Sequence, residues 1–133
     1  MNEKVTNILL AMQTYLNDNM DDFNTGKCLI NTTSDNKSAI SLNLSCQGLS
    51  QVDSVTNYWD ANIKLTIDGI RKNVNITIFD EIGATICASL VAWCKTRYWL
   101  RTGIQYLSEG VESQEGEDDI YRYSVTFTIR LNL

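Results

Sequence analysis

The sequence contains no histidine. Acid–base chemistry near neutral pH most readily uses an imidazole, so here it would fall to carboxylates. A zinc site would rest on four cysteines alone, with no Cys-x-x-Cys pair among them. Basic residues are also few: 11 Lys and Arg stand against 16 Asp and Glu, a formal charge of −5. That sign opposes any general embrace of a phosphate backbone, which needs clustered cations. An acidic wall lining a channel is different, because it repels DNA and lets it slide past. Proline is absent, which excludes no fold class, and the 7 glycines are too scattered to form a phosphate-binding loop.

Long apolar runs are missing as well. The most apolar stretch, IGATICASLVAW, is interrupted by Gly83, Thr85 and Ser89. A bilayer span needs about 20 residues, so this stretch reads as a buried helix and predicts no membrane partner. The opening MNEKVTNILLAMQTYL has no basic flank, unbroken apolar core or small-residue cleavage site, and predicts no secretory signal. Four Asn-x-Ser/Thr sequons, at Asn31, Asn36, Asn43 and Asn75, are then read as accidental.

The cysteines fit the same picture. Cys87 and Cys94 are seven residues apart, two turns along one helix face and about 10 Å distant, beyond the Cα separation a disulfide tolerates. With Cys28 and Cys46 they read as reduced thiols, mostly small core groups, in a reducing compartment.

What the sequence does hold is periodicity. Val5, Ile8, Leu9, Met12 and Leu16 have the spacing of a helix stripe, with Asn2 as a candidate N-cap and Gly26 as a stop. KCLINTT and AISLNLSC read as strands, the second alternating Ile40, Leu42, Leu44 and Cys46 with polar residues, and GLSQVDSVTN reads as a loop. Alternation resumes from Trp59 through Ala61, Ile63, Leu65 and Ile67. Asp68 and Gly69 then form the pair favoured in a type I′ turn, which predicts a hairpin into a fourth strand carrying Val74, Ile76 and Ile78. A second helix is expected from Asp80 as cap, with Ile82, Ile86, Cys87, Leu90, Val91, Trp93 and Cys94 covering over half its girth. Lys95, Arg97 and Arg101 gather at its carbonyl end, and Gly103 closes it.

A short strand, IQYLSEG, and the acidic run VESQEGEDD lead to the clearest pattern in the chain. Tyr121, Tyr123, Val125, Phe127, Ile129, Leu131 and Leu133 occupy every odd position against Arg122, Ser124, Thr126, Thr128, Arg130 and Asn132. This predicts a half-buried antiparallel strand. The whole predicts one α+β domain over residues 1–133: a mostly antiparallel sheet of about six strands with two main helices packed on one face.

The chemistry-bearing residues favour surfaces over catalysis. Glu109, Glu112, Glu115, Glu117, Asp118 and Asp119 stand among Ser, Gln and Gly, where solvated carboxylates keep ordinary pKa values. Cys94, beside Lys95 and Arg97, is the one thiol with adjacent positive charge, but a buried helix face ending in cations explains these residues better. Neither a catalytic residue, a cofactor nor a metal is expected. Tyr98 and Trp99, following Trp93, are candidate subunit-contact aromatics.

The layout resembles the tail terminator, or tail completion, proteins of long-tailed bacteriophages. The likeness lies in the opening helix MNEKVTNILLAMQTYL, the strand YWDANIKLTI, the helix DEIGATICASLVAWCKTRYW, and the acidic loop before YRYSVTFTIRLNL. It implies a virion protein, assembled in a bacterial cytoplasm, that caps the tail tube as a homo-hexameric ring, ends polymerisation and joins the tail to the head connector. Its implied partners are itself, the tail tube protein and the connector, with DNA only in passage. Asp68, Gly69, Glu112, Glu115, Glu117, Asp118, Asp119, Arg122 and Arg130 are the expected assembly or lumen surface. The alternatives are a neck or head–tail adaptor of the same virion, and a non-viral α+β ligand-binding domain.

Overall fold

The computed structural model describes residues 3–19, 28–30, 40–70, 74–100, 111–114 and 120–132. In chain order these form α1 (Glu3–Asp18), β1 (Cys28–Ile30), β2 (Ile40–Gln51), β3 (Tyr58–Ile70), α2 (Ile76–Lys95), β4 (Trp99–Leu100), β5 (Val111–Gln114) and β6 (Ile120–Asn132).

The class is α+β, but the sheet is narrower than the expected six strands. Its antiparallel part is four positions wide: β2, β3, β6, and an outer position on β6 shared by the short β4 and β5. The three-residue β1 adds to the other side of β2 in parallel. Of the six expected strands, the one carrying Val74, Ile76 and Ile78 is not a strand, and IQYLSEG lies outside the described residues.

The two long partners β3 and β6 pair over thirteen residues, so their alternations coincide: Ile63 faces Phe127, Leu65 faces Val125 and Ile67 faces Tyr123. On β2, Leu42 and Leu44 join the same face opposite Ile67 and Leu65. This face is the core, and both helices cover it, α1 over β1 and β2, α2 over β3, β6 and β4. Every member of the expected α1 stripe is buried there. So are Phe79, Gly83, Ile86, Cys87, Leu90, Val91 and Cys94 of α2.

Three local readings are corrected. Asp68 and Gly69 do not turn; β3 runs through them, with Asp68 opposite Arg122 and Gly69 opposite Tyr121. The glycine serves a close approach instead: a Cβ there would lie 2.7 Å from the Phe79 ring. Next, α2 begins at Ile76, where the Asn75 side chain, in extended backbone, accepts a 2.8 Å hydrogen bond from the Thr77 N–H. A good cap there outweighs the strand-like alternation of three β-branched residues. Asp80 therefore sits inside the helix, which closes at Thr96, ahead of the expected Gly103.

Finally, β2 continues past Cys46 to Gln51. A bulge between Cys46 and Gly48 absorbs Gln47, and the parity change returns Leu49 to the core face opposite Ala61. Strand-like alternation fails to show this extension, because the inserted residue breaks it.

Candidate assembly surface

The sheet face opposite the helices carries the polar half of each alternation. Cross-strand rows read Ser41, Asp68, Arg122; Asn43, Thr66, Ser124; Ser45, Lys64, Thr126; Gly48, Asn62, Thr128; and Ser50, Asp60, Arg130. Among the described residues no helix covers this face.

Cross-strand hydrogen bonds hold several of its side chains in place. Arg122 donates from Nε to Asp68 Oδ1 at 2.8 Å and from Nη2 to Oδ2 at 3.2 Å. Arg130 holds Asp60 the same way at 2.9 and 3.3 Å, and its hydrogen bonds to the Asp60 carboxylate keep the guanidinium above its ordinary pKa. Thr128 Oγ1 donates to Asn62 Oδ1 at 2.9 Å between the two pairs. Forked Arg–carboxylate bonds fix orientation as well as charge, so the face is a stiff polar plate.

At one end the plate turns aromatic. Trp99 pairs with Arg130 across β4 and β6, and so shares the Asp60 row. The Arg130 guanidinium stands 4.9 Å over the Trp99 ring, and Tyr58 meets that ring edge-on at 6.2 Å. Trp99 is 54% exposed and Tyr58 40% exposed. The hairpin loop beside them, residues 52–57, is closed by the Val52 N–H on the Tyr58 carbonyl. Asp53 organises it by accepting from Thr56 N–H, Val55 N–H and the Thr56 hydroxyl; the backbone bonds, Thr56 first, hold its carboxyl below the usual range.

The expected site residues thus separate. Asp68, Arg122 and Arg130 lie on the plate, Gly69 is buried beneath α2, and Glu112 sits in β5 opposite Arg122. Glu115, Glu117, Asp118 and Asp119 fall outside the described residues, as do Glu109, Arg101 and Gly103. Trp99 is on the exposed corner, whereas Tyr98 folds against Trp93 at 6.0 Å, where burial raises its hydroxyl pKa. Trp93 in turn stacks on Tyr15 of α1 at 5.0 Å, with Arg97 over it at 4.8 Å, so this trio pins the helices together. Sequence reasoning missed Tyr58 and Asp60. Asp60 does interrupt an apolar run beside Trp59, the one visible hint.

The thiols lie apart from this surface. Cys28 and Cys94 are buried, and burial pushes each up to about 12; Cys87 is buried too, and Cys46 is half-buried. Among the described residues, no three Cys, Asp or Glu side chains gather where they would hold a metal. No protein-family model matches this sequence, and a search of curated proteins finds no match to it.

Proposed function

We propose that this chain is a structural protein that acts by self-association, closing as a ring on the end of a phage tail tube, where it ends polymerisation and offers a surface to the head connector. No bond is made or broken in that role. The observation that carries the reading is the stiff polar plate ending in the exposed Trp99 and Tyr58. Aromatic side chains held in one orientation are the anchors subunit contacts use, because little entropy remains to be lost when they are covered. The place in the virion comes from the resemblance of layout to tail terminator proteins, and the acid-rich residues 115–119 suit a channel wall past which DNA slides.

The test is placement. Particles assembled with a labelled copy should carry the label as a ring where tail meets head, and particles lacking the protein should have tails of uncontrolled length. Label confined to the neck, with tails of normal length in its absence, would move the chain to the adaptor role. Label absent from particles would end the virion reading.

A further inference from the structure

We propose that copies of this chain mate head to tail, the Tyr58 and Trp99 corner of one seated on the Ile76 and Ile78 turn of the next. The inference rests on the ring reading above and names the contact that a ring would use.

Its first support is where exposed apolar side chains lie. Among the described residues the large ones are Leu10, Val52, Val55, Tyr58, Ile76, Ile78 and Trp99. Leu10 stands alone on α1. Val52, Val55, Tyr58 and Trp99 share the end where β3 starts, with Val55 90% exposed. Ile76 and Ile78, 47% and 53% exposed, share the end where α2 starts, one turn from the contact of Phe79 with Tyr121 near the end of β3. From the Asp60 row to the Gly69 row is nine residues of strand, roughly 30 Å. The 20 residues of α2 run a similar distance, roughly 30 Å, from the Ile76 turn toward Trp99. Two different apolar patches at opposite ends of a protomer suit a heterologous contact, the kind that closes into rings; a two-fold dimer would need only one patch.

The second support is charge along α2. Asp80 and Glu81 are exposed beside Ile76 and Ile78, while Lys95 and Arg97 are exposed beside Trp99. At the corner, Asp60 is held by Arg130 and the Asp53 carboxylate is taken up by its own loop. Arg71 and Lys72 lie outside the described residues. Head-to-tail contact sets the α2 carboxylates of one copy against the α2 cations of the next. Corner-on-corner contact would oppose like charges, which disfavours the symmetric alternative.

The contact is tested by cysteine pairing in a C46S background, where the remaining thiols are buried. W99C and I78C are purified separately, checked for native circular dichroism, then oxidised alone and mixed. A disulfide-linked dimer should form in the mixture and in neither variant alone, and W99A should weaken self-association roughly 30-fold, as loss of an aromatic hot spot does. W99C linking to itself as readily as to I78C would overturn the proposal. So would an oligomer of the unmodified chain that gives no mixed disulfide, an outcome that leaves the ring reading standing. A chain that light scattering finds monomeric throughout, with no mixed disulfide, would remove both.

Discussion

Gly83 allows α2 to lie close on the sheet: a Cβ there would stand 2.7 Å from the Tyr123 ring. Alanine in its place gains up to about 1 kcal/mol of helix propensity, while overpacking costs about 1–3 kcal/mol. G83A should therefore lose roughly 1–2 kcal/mol in urea unfolding, and Y123L should relieve part of the loss. The same crowding is seen at Gly69, and in both cases the glycine's purpose depends on a ring some forty or ten residues away along the chain, so sequence alone misassigns it. The cysteines also give a pH-dependent expectation. Cys28 and Cys94 titrate near 12 in the folded chain, above the unfolded value near 8.5, so the stability they lend is complete below about pH 8.5 and lost as pH rises toward 12. In native protein at pH 8, a thiol reagent should label Cys46 first, with Cys28, Cys87 and Cys94 reacting only on unfolding. Fast labelling of Cys94 would mean that α2 does not rest on the sheet.

Helix α2 shows how an element's start can escape a pattern. Val74, Ile76 and Ile78 alternate as a strand would, yet the Asn75 side chain caps a helix there and leaves both isoleucines in solvent. N75A should cost about 1 kcal/mol, within the range for lost caps. D80A, which would be damaging if Asp80 were the cap, should change stability by less than about 0.5 kcal/mol. Elements whose burial follows their own period were legible: the α1 stripe, the core face of β6 from Tyr121 to Leu131 and the inward positions of β3 lie where spacing puts them, while Leu133 lies outside the described residues. The β2 extension was not, because its bulge shifts the period, and the turn at Asp68 and Gly69 was misread because a turn-favouring pair also suits a strand pressed by a helix. Of the candidate surface, Arg122, Arg130, Asp68 and Trp99 could be named from sequence, but their pairing could not. The partners of each arginine stand 54 and 70 residues away, joined only by the register of β3 and β6. R130A removes the forked partner of the buried Asp60 and should lower stability in urea unfolding while also loosening Trp99, visible as a red-shifted, more quenchable tryptophan emission.

At the scale of the molecule, one layer of helices covers one face of a narrow sheet, and the other face is polar, with Arg122 and Asp68, Thr128 and Asn62, and Arg130 and Asp60 bonded across strands. A plate of this kind has little freedom left to lose on contact, and its apolar side chains stand at two ends. Such a distribution suits a subunit that joins others in sequence. Sedimentation velocity over the micromolar range measures this most directly. A self-associating ring subunit should give one discrete closed oligomer that dissociates with W99A, with no larger species as concentration rises. A single monomeric boundary at every concentration, unchanged by W99A, would contradict it.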